Sequence, residues 1–284
     1  MLRRSFLATL SAALAPSGAA GRGAYPDIRA DVDFPFPLLE VPAARALESW
    51  KELAARPGAP RPVLVGARDS AESHAEAVKE FGKPASVILE LARALNFPID
   101  LAEMRRKDRE EGDAYLRSLP PDQVLYELWD EKGARPVTVR EALAEPDEPF
   151  PLGEWPTTMP VPAPFTPATR PESTTACIAL LPTADSAEAA AWLNFGSWNE
   201  CPPPEYHVAA FRSWRDRYGA ELVECGADVV QLRVTSRPKT REEALALARE
   251  HYDYCSDIVV QGVGSISELA ALLMVSDVWS FWWD

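Results

Sequence analysis

The chain is predicted to be an α+β (mixed α/β) protein, a mixed sheet covered by helices. Three observations in the last 113 residues carry this prediction. Strand-like and helix-like segments run in the order β-α-α-β-β-α-α-β, which calls for layered sheet and helix. Glu221–Cys225 and Val229–Val234 alternate around Gly226-Ala227-Asp228, a hairpin signal. Thr240-Arg241-Glu242-Glu243 and Ser265-Ile266-Ser267-Glu268 are capping boxes, each opening a helix.

The other elements follow from local chemistry. Cys177–Leu181 reads as a buried strand, and Asp185 and Ser186 cap a helix through Trp192. Pro202-Pro203-Pro204 opens a helix that Gly219 closes. Its His207, Phe211, Trp214 and Tyr218 share one face. Val278–Trp283 closes the chain as an aromatic strand. Upstream, Asp31–Pro42 is proline-broken and reads as irregular, followed by a helix over about 42–55. Arg61–Gly66 has the β-branched look of a buried strand, and Asp69 and Ser70 cap a helix to about Phe81. Helices are expected over 86–95 and 99–119, the second presenting Met104–Glu111 as a solvated face; 123–129 fits strand or helix, with strand preferred.

Between Pro146 and Pro171 stand nine prolines in 26 residues. Such a segment cannot be helix or central strand, so it is a linker or a wrap over the surface. The chain thus divides into a leader (1–20), a smaller, mostly helical α/β region (21–145), the proline-rich segment (146–171) and a C-terminal domain (172–284). The leader, with Arg3-Arg4-Ser5-Phe6-Leu7, an alanine-rich run and Gly18-Ala19-Ala20, resembles a twin-arginine export signal. It implies an exported, periplasmic protein if functional, and a cytoplasmic one otherwise.

Net charge is −14, and residues 172–284 hold 17 acidic and 8 basic groups of that balance. This excess argues against nucleic acid or an anionic membrane surface as partner, since both require clustered Lys and Arg. It fits either a basic protein partner or simple solubility. No apolar run approaches the roughly 18 residues of a membrane span. Three histidines and no Cys-x-x-Cys give no metal site, and no phosphate-binding glycine motif is present, so no cofactor is expected. Gly262 and Gly264 precede a helix, where their amides could hold an anion or simply make a turn.

Two candidate sites remain. His251 and Cys255 are i and i+4 on a helix, with Asp257 near enough to orient the ring, the outline of a thiol-dependent acyl- or amide-transfer enzyme or hydrolase. A packed core cysteine or a disulfide fits the same spacing. Trp198, Asn199 and Glu200, with Gln261 and Gly262, lie on loops and are candidate binding residues, or simply a structured turn. Six of the nine tryptophans lie from Trp192 to Trp283, and exposed ones would serve as anchors for a protein partner. Of these readings, a non-catalytic, acidic interaction domain, inhibitor- or immunity-like, comes first and the thiol enzyme second.

Four strings resemble one family: Trp198-Asn199-Glu200-Cys201-Pro202; Ser213–Ala220; Tyr254-Cys255-Ser256-Asp257 with Gln261-Gly262; and Trp279–Asp284. They resemble the domain of unknown function 4253 over about 190–284. Val41–Trp50 and Pro62–Gly66 resemble the N-terminal half of its longer members. The resemblance implies a domain assignment and supplies no mechanism.

Overall fold

The computed structural model describes residues 32–56, 60–80, 82–130, 133–144, 151–169 and 173–283. The leader lies outside the described residues. The strands are β1 (Leu38–Pro42), β2 (Arg61–Leu64), β3 (Val124–Asp130), β4 (Gly133–Thr138), β5 (Thr175–Leu181), β6 (Glu221–Cys225), β7 (Val229–Arg233) and β8 (Val278–Trp282). Six of them form one mixed sheet in the order β1-β5-β2-β6-β7-β8, while β3 and β4 form a separate hairpin. Only β2 and β6 run parallel, joined at Leu64 and Glu224; every other neighbouring pair is antiparallel.

Period-2 alternation assigns the sheet two faces. On β5, Cys177, Ala179 and Leu181 enter one core, and Ala176, Ile178 and Leu180 enter the other. The second, smaller core is closed by α1 (Ala46–Ala54), whose Trp50 and Leu53 are buried. Trp50 also donates its indole N–H to the Pro62 carbonyl at 2.9 Å.

The first core is closed by α2 (Arg68–Glu80), α3 (Ala85–Ala94), α4 (Ile99–Ser118), α6 (Ala189–Leu193), α7 (Pro204–Tyr218), α8 (Arg241–Tyr254) and α9 (Ile266–Leu273). A short α5 (Val139–Ala144) follows the hairpin.

Local signals place the helix ends. Thr240 and Ser265 accept the amides of Glu243 and Glu268, both at 3.2 Å. The reciprocal carboxylate of the first box reaches Lys239 N–H at 2.8 Å, one residue before the cap. Gly219 ends α7 at φ +60°, where a side chain would be strained.

Three readings are corrected. The stretch before Pro42, expected as irregular, supplies β1, because an edge position pairs on one side only and tolerates proline. The β3–β4 hairpin and α5 continue past the single strand expected there. Strands β1 and β2, which precede the proline-rich segment, lie in the same sheet as the four strands that follow it.

The proline-rich segment, described over 151–169, wraps the body as a strap. Ser267 donates its amide to Leu152 O at 2.8 Å and its hydroxyl to Gly153 O at 3.1 Å. Gly153 (φ +69°) has no room for a side chain: a Cβ there would lie 2.5 Å from Ser265 Cβ. Farther along, Phe165 packs against the second core.

Candidate functional site

The helix stripe read from His207, Phe211, Trp214 and Tyr218 becomes the wall of an aromatic core. Trp214 stacks on Phe281 of β8 at 5.3 Å and meets Tyr254 edge-on at 4.9 Å. His251 fills the gap, with Trp279 at 4.7 Å, Trp214 at 4.8 Å and Phe281 at 5.0 Å between ring centroids.

These contacts decide the first candidate site. His251 is 1% exposed, and its Nε2 has no hydrogen-bond partner. Burial, with the Arg217 cation second, pushes its pKa well below the usual imidazole range. The Cys255 thiol, fully buried, donates to the Trp282 carbonyl at 2.9 Å, and burial raises its pKa to about 12. Imidazole and thiol therefore both stay neutral at physiological pH, without the thiolate that nucleophilic attack requires. Asp257, partly buried, opens the turn after α8. The packed-core reading of Cys255 is the one the geometry fits. All four cysteines are free and buried.

Sequence spacing missed a different thiol–imidazole pair. Cys201 Sγ lies 3.4 Å from His207 Nε2, and His207 Nδ1 bonds the Tyr254 hydroxyl, joining the α7 entry loop to the end of α8. Cys201 is 4% exposed and the other two are fully buried. Desolvation drives the thiol up and holds the imidazole near a pKa of about 3, so the chain is a neutral pin.

Above this pin sits the second candidate site. Between α6 and α7 the backbone is left-handed at Asn194 (φ +50°), Ser197 (+73°) and Asn199 (+46°), and at Gly196 (+113°). Non-glycine residues rarely adopt that region, and such strain persists only where surrounding contacts enforce it. Here a Cβ on Gly196 would lie 2.0 Å from Pro202 O and 2.8 Å from His207 Nε2, so the loop is pressed onto the pin.

Opposite the loop, residues Ile258–Val263 form a π-helical turn, a form often found at functional positions. Ser256 joins the two segments by donating its hydroxyl to the Glu200 carboxylate at 2.9 Å. Arg105 of α4 clasps them from outside. Its guanidinium donates to the carbonyls of Asp253 (2.9 Å), Tyr254 (3.2 Å) and Glu200, serving carbonyls that the end of α8 leaves open. The sequence placed Arg105 on a solvated face; its stem and head instead span to α8 and the loop.

The predicted binding residues lie on these two segments. Asn199, Glu200, Gln261 and Gly262 are exposed, and Trp198 is half-buried with its ring 4.8 Å from Phe195. Gly262 lies over the Trp282 ring, where a Cβ would approach within 3.2 Å. Val260, 54% exposed, is the apolar element of the patch. No tryptophan whose side chain is described is exposed, so the expected tryptophan anchors are absent among them; the rings are spent on the core.

Residues 177–284 match the family model described as Domain of unknown function (DUF4253). The C-terminal region is a DUF4253 domain. No curated protein matches the chain, and no solved structure matches it either. The DUF4253 segment contains the strained loop, the pin, the π turn and the aromatic strand β8, whereas Arg105, β1, β2 and the strap come from outside it. No helix among the described residues is long and apolar enough to cross a membrane.

Proposed function

We propose that the chain is a non-catalytic protein-interaction module whose contact surface is the junction of the 194–202 loop with the 256–263 turn. One observation carries this reading: two irregular segments, held by a buried pin and an outer clasp and tied to each other through Ser256 and Glu200, expose Asn199 and Glu200 on the loop and Val260, Gln261 and Gly262 on the turn. Rigid backbone carrying a small apolar spot among polar groups suits recognition, because little ordering entropy is lost on contact. Basic character is inferred for the partner because residues 172–284 hold 17 acidic against 8 basic groups, and such a field steers cations toward the surface. Arg105 is committed to backbone carbonyls, leaving the Glu200 carboxylate at the exposed rim. Export through the Arg3-Arg4 leader would set this module outside the cytoplasm.

The test is amide chemical-shift mapping of the full chain with an arginine-rich twelve-residue peptide, at low and physiological salt. Shifts concentrated at Asn199, Glu200 and Val260–Gly262, and weakened several-fold by Glu200→Gln, are the expected result. Shifts scattered over all acidic side chains and abolished by modest salt would show general charge attraction and remove the reading.

A further inference from the structure

The opposite face of the sheet carries a polar row that the surface above does not use. Glu224 on β6, Gln231 on β7 and Ser280 on β8 lie side by side across three strands, because Glu224 pairs with Gln231 and Gln231 with Ser280. A register shift between Leu222 and Glu224 turns the carboxylate to this face while Leu222 and Cys225 remain in the aromatic core. Glu224 is fully buried, and what buries it is the strap. Its two oxygens accept the Ala168 amide at 2.9 and 3.1 Å. Gln231 donates to Thr166 O at 2.6 Å and to Glu224 at 2.7 Å, and accepts from Ser280 at 3.3 Å.

This is how a peptide receptor holds an extended ligand. A carbonyl at one residue and an amide two residues on face the same side of an extended chain, and the row offers a donor and an acceptor at that spacing. The residue between them is Pro167, which has no N–H to leave unsatisfied. Phe165 supplies an apolar anchor in the second core, and Gly66 admits the strap closely, since a Cβ there would lie 3.2 Å from Ala168 O. Recognition comes from side chains reading backbone, and the prolines keep the ligand extended at low entropic cost. Both receptor groups lie inside the DUF4253 segment, and the ligand lies outside it.

We propose that Glu224 and Gln231 form a binding site for an extended proline-rich segment, filled here in cis by residues 164–168 and open to the strap of a second copy once the cis contact is broken. Every copy carries both site and ligand, so a copy with a displaced strap offers both halves of a reciprocal exchange.

The test uses the full chain and a labelled peptide of sequence 160–169. Ala168→Pro removes the amide that Glu224 accepts while leaving the receptor intact. Its strap should come away from the sheet, read as movement of the Phe165 ring and Thr166 amide resonances toward their unfolded-chain positions. The peptide should then bind the variant at least about tenfold more tightly than wild type, as expected for one lost charge-assisted bond. Adding Glu224→Leu should abolish that gain. Mixing Ala168→Pro, whose receptor is open, with a differently tagged Glu224→Leu copy, whose strap is intact but has lost its own receptor, should give a mixed dimer that the peptide competes away. Unchanged Phe165 and Thr166 resonances in Ala168→Pro, equal peptide binding to both proteins, or binding that survives Glu224→Leu would each overturn the proposal. A released strap that binds peptide but yields no mixed dimer would overturn the second copy as occupant. Should Ala168→Pro not fold, Phe165→Ala, which weakens only the anchor, is read by the same competition and with the same outcomes.

Discussion

One sheet covers its two faces by opposite means. On the aromatic side, rings from α7, α8 and β8 bury one another, and even the polar groups there, His207, His251 and Cys255, are held neutral. On the strap side a carboxylate is buried and met by a backbone amide and a carboxamide. Burying apolar area is favourable wherever the rings meet. Burying a carboxylate is favourable only while its hydrogen bonds hold, so the strap side is tied to a single geometry and is the easier to undo.

The largest test of this contrast is truncation. Trp214 is fully buried and touches Phe97, Phe211, His251, Tyr254, Trp279 and Phe281. Trp214→Ala should cost about 3–5 kcal/mol in urea denaturation, the range for a large aromatic lost from a packed core. Phe165→Ala, from a half-buried position on the strap, should cost about 1–2 kcal/mol, in keeping with the smaller area it covers. Equal costs would mean that the strap is as integral to the fold as the aromatic core.

The two faces should also answer pH with opposite signs. The His207 imidazole, held near a pKa of about 3 by burial, takes up its proton only after the unfolded chain has done so near the usual 6.5. Its stabilising contribution is whole above pH 6.5 and is lost as pH falls toward 3. Burial raises the Glu224 carboxyl from 4.5 to about 7, against the pull of its neutral partners, Ala168 N–H and Gln231. The unfolded chain ionises first, so stability falls as pH rises from 4.5 to 7 and stays lowered above that. Each limb is expected to span a few kcal/mol at most. Over 4.5 to 6.5 the two contributions oppose each other, so Glu224→Gln should leave the His207 rise there uncompensated and the limb below 4.5 unchanged. If urea midpoints of that variant keep the wild-type slope over 4.5 to 7, the carboxylate is not its source.

How much of this was legible follows the distance over which each signal acts. The caps at Thr240 and Ser265, the stop at Gly219 and the alternation of β5 are decided within a few residues, and the sequence carries them openly. The loop and turn of the second candidate site were legible as loops, but their junction through Ser256 and Glu200 spans 56 positions. The Cys201–His207–Tyr254 pin was hidden for the same reason, since His207 and Tyr254 lie on separate helices brought together only by folding. Glu224 read as one more acidic residue because nothing local announces that a strap amide will cover it. Arg105 sits among charged neighbours that are solvated, and only the position of α8 distinguishes it.

The smallest effect tests the strap at its other end. Arg241 places its guanidinium 4.5 Å from the Trp155 ring centroid, a cation–π contact at an exposed site. Such a contact contributes about 0.5–1 kcal/mol. Arg241 is also the first residue of α8, where a cation opposes the helix dipole by a similar few tenths. The two terms nearly cancel, so Arg241→Ala should leave global stability within about 0.5 kcal/mol of wild type. Its local consequence differs, because the dipole term belongs to α8 while the ring contact belongs to the strap. The Trp155 ring resonances should move toward their unfolded-chain positions in the variant, with amide exchange in α8 unchanged or slightly slower. Faster exchange in α8 with an unchanged strap would mean that Trp155 is held by its other neighbours and that the strap is pinned at Glu224 and Ser267 alone.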